Sequence, residues 1–295
     1  MPVRSVSLPP RLVEGALRPV YWAIFNERLP ITTQRRLLDA VSVIQPVPRG
    51  TVRDRVTLGG RPADRFTPKD STAQPPGAVL YLHGGGFAIG SPRTHRPLTA
   101  RLARDTGAAV YSLDYRLAPE HPYPAAVDDA EAAFADLVDN HGYAPGSIAI
   151  AGDSAGGGIA AAVARRLLDT HGSRPAALVL IAPAVDPAVR GGEVSEDTVL
   201  RTGWVDSVTE AYRGTTPPRD PGLAPLYASA SSFPSTFVEV GSREMLYPQV
   251  SAYVDRLRED GVDVTLEASA AYWGDAAKVD RLVFLEVPNA STRTA

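Results

Sequence analysis

The residues with the most chemistry in them are Gly152-Asp153-Ser154-Ala155-Gly156. They fit G-x-S-x-G, in which the serine crowns a sharp turn from a buried strand into a helix and its hydroxyl points out of the sheet. The glycines are needed because side chains at those positions would strike the neighbouring strand and helix. A serine so placed is a candidate nucleophile for acyl transfer. That reaction also needs a base, a group that orients the base, and donors for a tetrahedral oxyanion. Donors are available upstream, where His83-Gly84-Gly85-Gly86 makes a glycine turn with exposed backbone N–H groups. Together with the N–H of Ala155, those of Gly84 and Gly85 make a candidate oxyanion hole. One such donor is worth roughly 3–4 kcal/mol in characterised enzymes. His83 suits orienting this turn better than acting as the base.

Both motifs need strands to hold them. Ala149-Ile150-Ala151 before the serine and Ala78 to Leu82 before His83 are continuous apolar runs, as in strands covered on both faces of a parallel sheet. Further strands are predicted at Ala108 to Leu113, Ala177 to Ile181, Thr236 to Val240 and Val262 to Leu266. Helices are predicted at about 95–106, 124–139 and 204–212, directly after Ser154, and around Val250, Tyr253, Val254 and Leu257 up to Gly261. Strands alternating with helices predict an α/β fold, a mostly parallel sheet with helices on both faces and right-handed crossovers. Ligands of such sheets sit at the carboxyl ends of the strands. The turns after Leu82, Leu113, Ala151 and Ile181 all fall on that edge. Ahead of it, residues 51–67 read as a hairpin turning at Gly59-Gly60. Residues 10–45 hold two helical patterns, the second with Thr32 as N-cap. These helices either only pack or roof a pocket, with Tyr21, Trp22 and Phe25 as candidate lining.

Composition narrows the field. With 295 residues, 44% hydrophobic and 21% charged, the chain suits one large domain. A net charge of −3 and no basic stripe argue against nucleic acid as a partner. The absence of cysteine excludes disulfides, a thiolate metal site and a cysteine nucleophile. The first residues lack a continuous apolar core of the secretory kind, and no run reaches the roughly 18 apolar residues of a membrane span. A cytoplasmic location is therefore expected. No pattern specifies an oligomer.

Taken together, His83-Gly84-Gly85-Gly86-Phe87, Tyr115-Arg116-Leu117-Ala118-Pro119-Glu120 with Pro122, Pro124 and Asp128, and Gly152 to Gly157 resemble the hormone-sensitive-lipase family of α/β-hydrolases, the bacterial HGGG esterases. The resemblance runs from about residue 10 to 267. It implies one α/β-hydrolase domain over 1–295, with a helical cap from about 1–45 and 185–215. It also implies cofactor-free hydrolysis of a short acyl ester or amide of a small molecule. Within the family the chain is most similar to acetyl-hydrolases acting on secondary-metabolite or antibiotic precursors. Gly241-Ser242-Arg243-Glu244-Met245-Leu246 matches the family's G-x-x-[DE]-x-L, so the resemblance gives Glu244 the role of triad acid. Read alone, Glu244 is a solvated charge at a helix start. The order serine, acid, histidine is also the family's.

The histidine is missing. The resemblance puts it a few residues beyond Val262 to Glu267, near Gly274, but the last of five histidines is His171. His95, His121, His141 and His171 lack the required chain position, and 268–295 is an atypical tail. Losing the histidine from a comparable triad costs roughly 10⁶ in kcat. A reading-frame shift near residue 268 accounts for a match that stops abruptly. It also suits a GC-rich gene, in which only Lys69 and Lys278 of 30 basic residues are lysines. The alternative is genuine loss, leaving a catalytically silent small-molecule-binding protein on a hydrolase scaffold.

Overall fold

The computed structural model describes residues 19–71, 74–187, 197 and 200–269. The strands are β1 (Thr51–Leu58), β2 (Arg61–Pro68), β3 (Ala78–Leu82), β4 (Ala109–Leu113), β5 (Ile148–Asp153), β6 (Leu178–Ile181), β7 (Thr236–Gly241) and β8 (Val264–Ser269). They form one sheet in the order β1-β2-β4-β3-β5-β6-β7-β8. The pairs β1/β2 and β2/β4 are antiparallel, and the pairs from β4 through to β8 are parallel. Around the sheet lie α1 (Ile31–Ser42), α2 (Arg96–Thr106), α3 (Ala125–Asp139), α4 (Ala155–His171), α5 (Thr202–Arg213) and α6 (Tyr247–Glu259). Residues 19–24 are also helical. None of the described helices is long and apolar enough to cross a membrane.

The apolar runs are strands because both faces of the sheet are covered. Leu80 and Leu82 of β3 pack with Phe134 and Leu137 of α3 and Ile159 and Val163 of α4. Val79 and Tyr81, pointing the other way, pack with Ala100, Leu102 and Ala103 of α2. A strand with no solvated face has no reason to alternate. Between β3 and β5 the strand order reverses, since the chain leaves β3 for β4 on one side and returns to β5 on the other. Such a switch point opens a crevice at the carboxyl edge. The glycine turn follows β3 there, and Ser154 follows β5.

The expected hairpin pairs Leu58 with Arg61 across Gly59-Gly60. Two boundaries differ from expectation. α1 starts at Ile31, ahead of Thr32, with Pro30 at the cap position and no side-chain cap. Pro30 offers no side-chain acceptor; its carbonyl accepts from Thr33 N–H (2.9 Å) and Gln34 N–H (3.1 Å), which puts Thr32 inside the first turn instead of at its cap. β8 starts at Val264, two residues late, because Gly261 at φ 77 takes the first residues of the connection to end α6.

A third apolar cluster lies above the carboxyl edge. It joins Ile24 and Phe25, Ile31 and Leu38 of α1, Trp204 and Val208 of α5, and Ala88 and Ile89 from the segment after the glycine turn. The helical patterns near the N-terminus and near 204–212 thus meet directly over the switch point. Residues 1–18, 188–196 and 270–295, on which parts of the expected cap and tail fall, lie outside the described residues.

Candidate active site

Ser154 alone separates β5 from α4, at φ 50 and ψ −119. A non-glycine residue held at positive φ costs about 1–3 kcal/mol and persists only where its surroundings over-determine it. Its N–H donates to Ile181 O (2.8 Å), and its carbonyl accepts from Gly158 N–H (3.1 Å) and Ala184 N–H (2.9 Å). The main chain is pinned by β6 and α4, which leaves the hydroxyl to face the crevice.

The glycine turn is fitted to this apex. Gly85 sits at φ 126, and a Cβ there would lie 2.2 Å from Ile89 O, so only glycine fits. Gly86 sits at φ 59 beneath Trp204, whose Cη2 would be 2.7 Å from an added Cβ. Among the described residues, the N–H groups of Gly85, Gly86 and Ala155 meet no hydrogen-bond acceptor. Gly84 differs. Its N–H donates to Asp153 Oδ1 (2.9 Å), which also accepts from Tyr81 Oη (2.6 Å). The expectation that Gly84 offers its N–H to an oxyanion therefore does not hold. The Asp153 carboxylate draws that N–H into the protein, and Gly86 takes its place at the cleft.

Asp153 is the centre of a buried polar cluster. His95 Nε2 lies 3.3 Å from Asp153 Oδ2, and His83 stacks between His95 and Tyr115. Tyr115 Oη donates to His83 O (2.6 Å), fixing the start of the turn. Burial works against charge on both members of the ion pair, yet Asp153 raises the His95 pKa and His95 holds Asp153 below the usual carboxylate range. His83 shows the reverse. Its Nδ1–H donates to Gly84 O (2.9 Å), and its buried Nε2 meets no partner among the described residues. Burial, with charge on His95 adding to it and the Gly84 carbonyl opposing, pushes His83 down to about 3.

A group whose folded pKa is lowered favours the unfolded state as it takes up its proton. Stability assigned to neutral His83 is complete above about pH 6.5 and falls as pH drops toward 3. Urea unfolding of His83→Asn is expected to lose about 3 kcal/mol less than wild type between pH 7 and pH 4. Equal losses would show that His83 is already charged, or free to charge, in the fold.

Glu244 follows β7 in a tight turn. Its N–H donates to Gly241 O (3.0 Å), and its Oε1 accepts from Gly241 N–H (3.0 Å). It is buried, not the solvated charge that its position alone suggests. Beside it, Asp197 accepts from Leu200 N–H through Oδ1 and from Met245 N–H through Oδ2, both at 2.8 Å. Ser154, Gly85, Gly86, Asp197 and Glu244 line one cleft of about 580 Å³, which includes open solvent. Its apolar wall is Tyr21, Phe25, Leu200, Trp204 and Leu246. Trp22 lies elsewhere, under the Arg201 guanidinium. Trp204 stacks on Phe25 at 4.6 Å and donates from Nε1 to the buried Gln34 Oε1 (2.7 Å).

No histidine is among the described residues lining this cleft. His95 is turned to Asp153. His171 pairs with Glu131 and closes α4, a 17-residue helix and so about 25 Å from Ser154. Gly86, Asp153, Asp197 and Trp204 were not singled out by sequence. For Gly86 the signal was present, since the turn holds three glycines, but nothing in sequence ranks them.

A parallel sheet with a strained serine between strand and helix at its switch point defines an α/β-hydrolase. Comparison with known proteins agrees. Residues 79–273 match the alpha/beta hydrolase fold family. An acetyl-hydrolase of Streptomyces hygroscopicus is 38% identical over 75% of this chain and 73% of its own length. A putative acetyl-hydrolase, LipR, of Mycobacterium tuberculosis is 34% identical over 78% and 74%. A hormone-sensitive lipase from a metagenome library superposes with a TM-score of 0.86 at 31% identity, over 94% of this chain and 96% of that one. An esterase of the bacterial hormone-sensitive-lipase family gives 0.84 at 32%, over 96% and 97%. The chain belongs to the alpha/beta hydrolase fold family, in its bacterial hormone-sensitive-lipase branch.

Proposed function

We propose that the cleft is a serine esterase centre for short acyl esters of a small molecule, acetyl esters foremost. The observation that carries this reading is Ser154 at φ 50, held in one cleft with Gly85, Gly86 and Glu244. Ser154 Oγ attacks the acyl carbon. The resulting oxyanion takes the N–H groups of Gly85, Gly86 and Ala155, the last at the N-terminus of α4, where the helix dipole also favours negative charge. In a complete triad Glu244 would orient an imidazole that accepts the hydroxyl proton and returns it to the leaving alcohol; this polypeptide carries no histidine at that place, so the step needs the base that a chain read in the shifted frame would supply. Collapse releases the alcohol, and water then hydrolyses the acyl-enzyme. Trp204 stands over Gly86 on the apolar wall of the cleft, where an acyl chain would lie.

The similarity to the Streptomyces acetyl-hydrolase supports an acetyl group as the acyl group removed; a biosynthetic precursor as its carrier and a cytoplasmic setting are proposed from the sequence resemblance alone. The third apolar cluster supports a cap built from about 1–45 and 185–215 on a single domain. This polypeptide carries no histidine after His171, so the base is absent and a frame shift near codon 268 remains our account of it. Without the base, the donors and binding retain roughly 10³–10⁴ over water. p-Nitrophenyl acetate is therefore expected to turn over measurably above the buffer blank, and faster than the octanoate. Turnover equal to the blank would remove the esterase reading for this polypeptide.

One observation favours a second reading. A roofed cleft that has lost its imidazole is what a ligand-binding descendant would keep. If acetate esters or their product acids raise the melting temperature while turnover stays at the blank, that reading replaces the first.

A further inference from the structure

α1 places two side chains, Arg35 and Asp39, on the loop that would carry the oxyanion donors and a third, Gln34, on the indole above it, and the ester chemistry uses none of them directly. Arg35 Nε donates to Ala88 O (2.8 Å), and its Nη2 donates to Ala118 O (2.8 Å). The same guanidinium makes a two-pronged pair with Glu120 (2.9 and 2.8 Å). Within the loop, Ala88 N–H and Ile89 N–H both return to Gly85 O (3.2 and 3.0 Å), and Ala118 N–H bonds Phe87 O (2.9 Å). The segment from Gly85 to Ile89 is thus a tight turn closed on Gly85 O, with Gly86 and Phe87 both at positive φ, and Arg35 takes the carbonyl of Ala88 at its far side. One helical turn further along α1, Asp39 Oδ1 accepts from Ser91 Oγ (3.0 Å). Gln34, next to Arg35, holds the indole that roofs Gly86.

We propose that Arg35, supported by Asp39, is a positioning residue that sets the donor loop from the cap side. Asp153 fixes the near end of that loop through Gly84, and Arg35 fixes the far end through Ala88. Between them only Gly85 and Gly86 are left to face the cleft. The Glu120 pair is not the reason for the arginine. Glu120 is half exposed (49%), and exposed pairs contribute about 0–1 kcal/mol. The planar fork is the reason: one lysine ammonium cannot reach Ala88 O, Ala118 O and Glu120 together in the same geometry. The consequence for ester turnover rests on the esterase reading, but the consequence for loop order does not.

Amide hydrogen exchange of the full chain tests this. In Arg35→Ala, exchange at Ala88, Ile89 and Ala118 is expected to rise at least about tenfold while Leu80 and Leu82 in β3 stay unchanged. Glu120→Gln keeps the fork on the carbonyls and is expected to shift the same amides less than about twofold. Unchanged exchange in Arg35→Ala, or an equal rise in Glu120→Gln, overturns the proposal. If Arg35→Ala loosens the whole chain, Arg35→Lys decides, since it keeps the charge and loses the fork. A rise confined to the loop supports the proposal, and none overturns it. With p-nitrophenyl acetate, kcat is expected to fall in Arg35→Lys with KM within about twofold, the pattern of donors displaced in the transition state. A wild type no faster than the blank counts against the esterase reading and leaves the outcome of the exchange experiment standing.

Discussion

Ser154→Ala lowers p-nitrophenyl acetate turnover by this chain less than about threefold, whereas in a chain read in a shifted frame from codon 268, with a histidine after β8, the same change removes about 10⁶. The asymmetry follows from how a triad works. Nucleophile and base act as a unit, so losing one costs nearly as much as losing both. What persists is transition-state stabilisation by Gly85, Gly86 and Ala155, and a water molecule can use that as well as Ser154 can. Parallel rate measurements on the four proteins decide the matter. A fall near 10⁶ in the present chain would mean that some group other than histidine already activates Ser154. An unaltered reading frame around codon 268 on resequencing would remove the frame-shift account.

Gly156→Ala is expected to destabilise the fold by about 3 kcal/mol or more, a drop of roughly 6–12 °C in melting temperature. A Cβ at this position would lie 2.0 Å from Leu82 O, 2.5 Å from Leu82 C and 2.6 Å from His83 O. All three atoms are backbone, at the joint where β3 becomes the donor turn, and none can rotate away. Relief requires α4 to lift off the sheet, which would open the packing around Ile159 and Val163. Gly146→Ala is the control, since an added Cβ there meets nothing within 4 Å. It is expected to change stability by less than about 0.5 kcal/mol. Thermal unfolding followed by circular dichroism compares the two. Equal midpoints would mean that α4 does not approach β3 this closely.

The sheet was legible because its strands lack a solvated face. Val79 and Tyr81 are as fully buried in apolar packing as Leu80 and Leu82 on the opposite face, and only a doubly covered strand allows that. Ser154 was legible because its backbone demands glycine on both sides. Legibility ended where a residue acts through a neighbour distant in sequence. Three adjacent glycines look equivalent until Asp153 Oδ1 claims the N–H of Gly84, which leaves Gly85 and Gly86 lining the cleft. Asp197 sits in a polar stretch without periodicity, and its partner Met245 lies on another segment of the chain. Glu244 could be named only through the family pattern, because a carboxylate after a strand is ordinarily solvated. Thr32 looked like a helix cap because a hydroxyl is favoured there, but the helix starts at Ile31, one residue earlier, and Thr32 falls within its first turn.

The single carboxylate of Asp197 has a mechanical consequence. By holding Leu200 N–H with one oxygen and Met245 N–H with the other, it rivets the approach to α5 onto the turn that carries Glu244. Each such charge-assisted bond is worth about 1.5–3 kcal/mol. Swinging the cap aside to admit a bulky ester must either break one of these two bonds or drag the Glu244 turn along. On the proposed reading, in which Glu244 is the acid, substrate entry and the placement of that acid are geared to each other through Asp197.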